Sequence, residues 1–166
     1  TMDARRRFFL RGRVSSAAVG SEPRPPWALD EAQLVDCCTR CGDCVSACPQ
    51  KILRMGDGGY PTVSFRERGC TECAACVDAC EPEALRRVPD AKAWSWRPLF
   101  DESCLAKRKV ECRVCGESCV HGAIRFRPAL GSVSQPHVDD EICTGCGACV
   151  APCPTHAISF ANAADR

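Results

Sequence analysis

Hydrophobic residues occur along the 166-residue chain in short runs, and none approaches the ~18 residues that a transmembrane helix requires. Short stretches at residues 62–65, 124–126 and 135–138 predict strands. Single helical turns are expected in the gaps, and the glycine-rich segment 56–59 predicts a tight turn. Regular secondary structure should therefore be sparse.

The supply of ordinary core residues is small for a chain of this length. Hydrophobic residues make up 45% of the sequence, but this figure includes 17 cysteines, and aromatic residues make up only 6%. A domain with so thin a core needs disulfides or bound metal to hold it together. The number of cysteines is odd, and their regular spacing favours metal ligands over a disulfide framework.

Three groups of cysteines repeat the spacing C-x2-C-x2-C-x3-C. The groups are Cys38, Cys41, Cys44 and Cys48; Cys70, Cys73, Cys76 and Cys80; and Cys143, Cys146, Cys149 and Cys153. Each matches the run of bacterial ferredoxins that binds a [4Fe-4S] cluster, in which the fourth cysteine ligates the other cluster of a pair. Proline directly follows the last cysteine at Pro49 and Pro154, whereas Glu81 takes that place in the second group.

A fourth, irregular group is recognised by its ending. The first group is followed by the apolar pair Ile52 and Leu53, and a similar pair occurs at Ala123 and Ile124. Counting back from this ending gives Cys104-x7-Cys112-x2-Cys115-x3-Cys119, which is the same repeat with five residues inserted. The final cysteines recur every 32–39 residues, which indicates a repeated structural unit. The chain is thus predicted to bind four [4Fe-4S] clusters.

Zinc is the alternative metal for these cysteines. Zinc ribbons bind each ion with two CxxC knuckles, and unbroken triplets that end in CxxxC do not divide into such pairs. Two-residue gaps allow one tight loop to place three thiolates around a cluster, and small residues such as Gly42 and Gly147 permit close backbone approach. Cys37 is left over, because a three-residue gap separates it from Cys41, and it is expected to be a buried free thiol.

Two arrangements of the clusters are compatible with the spacing. A nested arrangement would pair the group at 38–48 with the group at 143–153, and the group at 70–80 with the irregular group at 104–119. The predicted fold is α+β, with two tandem bacterial-ferredoxin-like modules at residues 28–90 and 91–166 and with Trp94 and Trp96 packed between them. Sequential pairing is favoured, because residues 38–80 and residues 104–153 each suit a complete two-cluster unit. It exchanges the final cysteines within each half of the chain: Cys48 with Cys80, and Cys119 with Cys153.

Residues 1–27 are predicted to form a flexible basic arm. Arg6 and Arg7, followed by two phenylalanines, match the sequence pattern of a twin-arginine export signal. Such a signal also needs an apolar segment of roughly 7–15 residues, and the longest apolar run that follows is Ala-Ala-Val at 17–19. A cytoplasmic location is therefore predicted, with export as the alternative interpretation.

Several classes of function are disfavoured by the sequence. It contains no Ser/His/Asp set, phosphate loop or nucleotide fingerprint, so an enzyme is not expected. The formal net charge is +1, and four clusters that each contribute about −2 would bring it to about −7, which disfavours nucleic acid as a partner. The basic arm and the inserted Lys107, Arg108 and Lys109 are candidate surfaces for docking on an acidic protein.

The pattern as a whole resembles the NapF-type ferredoxins, accessory proteins of periplasmic nitrate reductase systems. The irregular group at 104–119 carries the resemblance, together with the arginines at 5–7 and the segments 24–27, 58–61 and 126–128. It implies an iron–sulfur protein that acts in the cytoplasm on the precursor of the catalytic subunit NapA before export, by electron transfer or by cluster assembly. An electron-transfer subunit of a respiratory or hydrogenase-type complex is the alternative.

Overall fold

The computed structural model describes residues 23–162, which form short helices and three antiparallel two-stranded sheets. The helices are α1 (Glu31–Cys37), α2 (Asp43–Ala47), α3 (Ala75–Asp78) and α4 (Val114–Glu117). The strands are β1 (Leu53–Met55), β2 (Pro61–Val63), β3 (Trp96–Phe100), β4 (Ile124–Arg127), β5 (Gln135–Val138) and β6 (Ile158–Asn162). Within this part of the chain, no helix is long and apolar enough to cross a membrane. The predicted α+β fold with sparse regular structure is confirmed.

The predicted strands lie close to their expected positions. β5 spans the predicted residues, β4 extends one residue further, and β2 begins one residue earlier and ends two residues earlier than expected. The glycine-rich segment connects β1 to β2 through a 3-10 turn at Asp57–Gly59. The pairing of β3 with β6 has no counterpart in the sequence pattern, and it places Pro98 opposite Phe160.

The same turn ends all four cysteine groups. The third residue after each final cysteine has a left-handed backbone, with φ between 52° and 64°, and donates its N–H to the carbonyl oxygen of that cysteine. The two residues that follow are buried in every copy. The four left-handed residues are Lys51, Glu83, Gly122 and His156. The repeat inferred from the cysteines is therefore also a repeat of backbone conformation.

Residues 23–27, the described end of the predicted arm, are part of the first core. Trp27 is only 8% exposed, and its backbone N–H donates to the carbonyl oxygen of Ala93 at 2.9 Å. Arg24 forms an ion pair with Glu31 at 2.6 Å. The flexible arm expected for residues 1–27 therefore does not include these five residues, because burial of the Trp27 ring fixes them. Residues 1–22 lie outside the described part of the chain.

An aromatic cluster joins the two halves of the chain. Phe65, from the first half, contacts the rings of Trp94, Trp96 and Phe160 at centroid distances of 5.5–6.2 Å. The two tryptophan rings stack on each other at 5.1 Å. Trp96 Nε1 also donates to the carbonyl oxygen of Gly145 at 2.9 Å. The prediction that both tryptophans pack between the modules is confirmed.

Candidate iron–sulfur sites

The cysteine side chains line four separate cavities, and each cavity contains four cysteines. Site 1 contains Cys38, Cys41, Cys44 and Cys80, and site 2 contains Cys48, Cys70, Cys73 and Cys76. Site 3 contains Cys104, Cys112, Cys115 and Cys153, and site 4 contains Cys119, Cys143, Cys146 and Cys149. The structure thus brings together all sixteen cysteines of the four predicted groups.

The final cysteine of each group lies in the neighbouring site of the same half. Cys44, on α2, lines site 1, whereas Cys48, at the C-terminal cap of that helix, lines site 2. Cys76, on α3, lines site 2, and Cys80 after that helix lines site 1. This grouping is the exchange that sequential pairing describes. The nested arrangement would instead require cysteines from both halves in one cavity.

In the three regular groups, the residues on both sides of the second cysteine have left-handed backbones. The flanking pairs are Arg40 and Gly42, Glu72 and Ala74, and Gly145 and Gly147, with φ between 56° and 82°. Successive N–H groups in such a loop turn toward a common centre and form a concavity that favours an anion. Three of these six residues have side chains, and each bears a conformational cost of about 1–2 kcal/mol.

The inserted group builds its site with a different loop. Arg113, which follows the second cysteine of this group, has φ −130°, so the left-handed residue is missing there. One residue of the insertion, Ala106, is buried instead and is only 1% exposed. Gln135 Nε2, on β5, donates to the carbonyl oxygen of Ala106 at 2.7 Å. Side-chain contacts from another strand therefore hold this loop beside the site.

The four cavities are similar in size and in lining. Their volumes are about 390, 320, 350 and 330 Å³ for sites 1 to 4, including space open to solvent. Apolar side chains such as Leu85, Ile52, Phe126 and Ile124 complete the walls. Four converging thiols in an apolar cavity suit a [4Fe-4S] cluster, whose ligands are cysteine thiolates. The volume of the irregular site 3 falls within the range of the regular sites.

Burial raises the pKa of at least one cysteine thiol in each site. Burial, reinforced by neighbouring cysteines, raises the pKa of Cys44 to about 11 and the pKa of Cys76 and Cys115 to about 12. Burial likewise raises the pKa of Cys149 in site 4. Four thiolates are stable in one apolar cavity only when a cation compensates their charge. The protonated thiols therefore lose their protons when a cluster binds.

A buried arginine lies beside site 4. Arg97, on β3, is 5% exposed, and its guanidinium donates to the carbonyl oxygens of Asp140, Trp94 and Trp96 at 2.6–3.2 Å. Burial raises the pKa of Cys143, and the positive charge of Arg97 opposes part of that increase. Sequence reasoning missed this residue, because an arginine outside the cysteine groups carries no motif that would single it out.

Cys37 does not line any of the four sites, but the expectation that it is buried is wrong. Its side chain is exposed at the end of α1. Leu34 on the same helix is fully buried, and Cys38 lines site 1. Successive residues of a helix point about 100° apart, so Cys37 is turned away from the site when Cys38 faces it.

Comparisons with known proteins agree with this architecture. Residues 37–85 and residues 110–157 match two family models that are both described as "4Fe-4S dicluster domain". The second match begins after Cys104, so the first cysteine of the inserted group lies outside it. Two tandem dicluster domains define the class of the protein, a tandem [4Fe-4S] ferredoxin-type protein.

Curated relatives share nearly the whole chain. "Ferredoxin-type protein NapF" of Escherichia coli strain K12 is 45% identical over 158 residues, covering 95% of this chain and 94% of the relative. The NapF protein of Haemophilus influenzae is also 45% identical, covering 93% and 92%. "Ferredoxin-type protein NapG" of E. coli K12 is 30% identical, covering 84% and 69%. The chain belongs to the NapF family of ferredoxin-type proteins.

Proposed function

We propose that the chain binds four [4Fe-4S] clusters, one in each of sites 1 to 4, through the sixteen cysteines that line them. The observation that carries this proposal is the convergence of four cysteines on each of four apolar cavities of similar size. When bound, such clusters accept and donate single electrons. Sequential exchange of the final cysteines defines the proposed ligand sets, and the two proposed modules correspond to residues 28–90 and 91–166.

The chain's own residues supply more than the thiolates. Backbone N–H groups approach the sulfur atoms: Glu72 N–H lies 3.3 Å from Cys70 Sγ, and Ala123 N–H lies 3.3 Å from Cys119 Sγ. Hydrogen bonds of this kind stabilise thiolate charge and help to set the reduction potential of a site. The apolar walls shield buried ligands such as Cys44 and Cys149 from water, whereas Cys41 and Cys73 lie at the surface.

The protein is further proposed to act in the cytoplasm on the precursor of the nitrate reductase catalytic subunit NapA, before that subunit is exported. The support for this is the 45% identity to NapF proteins over 95% of the chain, together with the inserted cysteine group at 104–119. Delivery of electrons and delivery of clusters are both compatible with cysteine-lined sites near the protein surface. The alternative is an electron-transfer subunit of a respiratory or hydrogenase-type complex.

Residues 1–22 are the favoured docking segment for an acidic client surface. The insertion offers less free charge, because Lys107 Nζ pairs with the Glu102 carboxylate at 2.9 Å. Residues 1–22 contain five arginines against Asp3 and Glu22. Attraction between this segment and an acidic surface should weaken as salt rises.

The test is an anaerobic pull-down from the cytosol of the native organism, with the captured client identified by mass spectrometry. We expect the full chain to capture the NapA precursor with its export signal still attached. A variant that lacks residues 1–22 should capture less of it while retaining its iron, because residues 23–27 and the sites are untouched. Capture of a membrane complex in place of the precursor would contradict the maturation proposal.

Deletion of the protein distinguishes the two functions in the cell. Under the maturation proposal, the reductase is synthesised but poorly active even with an artificial electron donor. Under the alternative, the reductase is fully active with that donor and only electron flow from quinol to nitrate fails. The second result would replace the maturation proposal with the electron-transfer one.

A further inference from the structure

The loops of site 2 and site 4 touch each other across the boundary between the modules. The backbone N–H of Cys70 in site 2 donates to the carbonyl oxygen of Cys146 in site 4 at 2.8 Å. Beside this bond, His121 Nε2 lies 3.4 Å from Glu72 Oε1. The ligand atoms of Glu72, His121 and Cys146 all lie within 4.8 Å of one another. The contact therefore involves a cysteine from each site and a side chain from each loop.

Two glycines permit this approach. A Cβ atom at Gly69 would lie 2.6 Å from both Cα and N of Ala148, in the loop of site 4. A Cβ atom at Gly147 would lie 2.2 Å from Cγ of Phe65, in the first half of the chain. Both distances are far shorter than a van der Waals contact, so the loops reach each other because these two positions lack side chains.

The exposure of the cysteines reflects the same contact. Cys41 and Cys73, the second cysteines of their groups, are exposed at the surface of sites 1 and 2. Cys146 is the second cysteine of its group but is only 9% exposed. Its position under Cys70 and Glu72 explains the difference. The first module thus covers a face of site 4 that is open in the corresponding sites.

We propose that Gly69 and Gly147 are positioning residues that hold the four iron–sulfur sites in one series, in the order site 1, site 2, site 4, site 3. Within each module the two sites are neighbours, because the last two cysteines of every group are only four residues apart and lie in different sites. Between the modules the contact is from site 2 to site 4. If the sites followed one another in the order of their cysteine groups along the chain, site 2 would lie beside site 3.

The ends of this series are sites 1 and 3. Partner proteins that exchange electrons at the ends of the series would therefore meet the chain at these two sites. Of the inner pair, site 4 is covered by the first module at Cys146, whereas site 2 reaches the surface at Cys73. This inference rests on the proposed clusters but not on the identity of the client. An iron determination tests the clusters by itself, so failure of the proposed cofactors and failure of the proposed order are distinguishable.

The first test uses the unmodified holoprotein and amide hydrogen exchange. The Cys70 amide is expected to exchange slowly, because it donates to a carbonyl group of the other module and not within its own loop. Peptides from the loop segment 129–131, whose amides donate no backbone hydrogen bond, provide an unprotected reference within the same sample. Exchange of Cys70 as fast as that reference would overturn the proposed junction.

The second test measures magnetic interaction between reduced clusters by electron paramagnetic resonance. The double variant Cys38→Ser/Cys104→Ser removes one ligand from each outer site and should leave the inner pair, sites 2 and 4, with a clearly interacting spectrum. The matched variant Cys38→Ser/Cys143→Ser should leave sites 2 and 3, with a spectrum close to the sum of two isolated clusters. Stronger interaction in the matched variant would overturn the proposed order.

The third test adds a methyl group at the junction. In the background that retains sites 2 and 4, Gly69→Ala should weaken the magnetic interaction while the iron content stays the same. Gly131→Ala is the control, because Gly131 has φ +69° but a Cβ atom there would meet no other atom within 4 Å, and it should leave the interaction unchanged. Unchanged interaction in Gly69→Ala, or loss of iron in its place, would remove Gly69 from the proposed role.

Discussion

The three regular cysteine groups and the inserted group reach similar sites by different means. The regular loops curl through left-handed residues on both sides of the second cysteine, as at Gly145 and Gly147. The inserted loop has neither of these left-handed residues, since Glu111 is not among the residues with positive φ and Arg113 has φ −130°, and it is held by Gln135 from β5. Their cavities nevertheless have similar volumes, about 350 Å³ for the inserted site and about 320–390 Å³ for the others.

The difference shows which part of the repeat is constant. All four groups share the turn after the final cysteine and the buried pair that follows it. This tail anchors the repeat in the core, whereas the loop that carries the first cysteines varies. An insertion is tolerated between Cys104 and Cys112 because a surface loop can lengthen at small entropic cost when its ends are held.

The largest expected effect is loss of a cluster, and it should be equal in the two kinds of group. Anaerobically purified protein should contain about 16 iron and 16 sulfide per chain, four of each per cluster. Cys38→Ser in a regular group and Cys104→Ser in the inserted group should each lower the iron content to about 12. Cys37→Ser is the matched control and should change neither iron content nor spectrum, because Cys37 is exposed outside every site.

For each of these variants, a different iron content would contradict the expected equivalence of the regular and inserted groups. Unchanged iron in Cys104→Ser would mean that the inserted group does not form a site of the regular kind. Iron loss in Cys37→Ser without loss in Cys38→Ser would shift the register of the first group. Zinc without acid-labile sulfide in the purified protein would contradict all four iron–sulfur sites.

The next effect concerns pH and should be shared by both kinds of group. Burial raises the pKa of Cys76 in a regular site and Cys115 in the inserted site from 9.0 to about 12. The thiols are therefore protonated at neutral pH, and each must lose its proton to bind iron. Binding should strengthen as pH rises through 7 to 8.5, by about tenfold per pH unit for each proton released. Anaerobic reconstitution from iron and sulfide measures this; uptake that is independent of pH would contradict it.

The sequence predicts local features of this molecule well and long-range contacts poorly. Cysteine spacing predicts the four groups, and strand signals predict β4 and β5, because the residues that form each feature are close in sequence. The pairing of β3 with β6 and the bond between Cys70 and Cys146 join residues more than 55 positions apart. Neither has a local signal. Burial of Arg97 was missed for the same reason, since its partners come from different segments.

A smaller effect should be specific to the inserted group. Gln135→Ala removes the hydrogen bond to the Ala106 carbonyl oxygen at 2.7 Å, which anchors the inserted loop. The expected loss of stability is about 1–2 kcal/mol, with slower loading of site 3 than of the other sites. Gln33→Ala on the exposed face of α1 is the control. Thermal unfolding and iron uptake measure both, and equal behaviour of the two variants would show that the loop does not depend on Gln135.

The smallest effect compares the residue after the second cysteine in each kind of group. Ala74 has φ 62°, so Ala74→Gly should stabilise the protein by about 1 kcal/mol by removing the left-handed strain of a side chain. Arg113 occupies the matching place in the inserted group with φ −130°. Arg113→Gly should therefore destabilise by about 1 kcal/mol, because glycine gains only freedom in the unfolded chain and the ion pair with Glu111 at 2.8 Å is lost. Chemical unfolding under anaerobic conditions measures both changes. Shifts of the same sign would show that the two loops share one backbone requirement, and the distinction between regular and inserted groups would fail at this position.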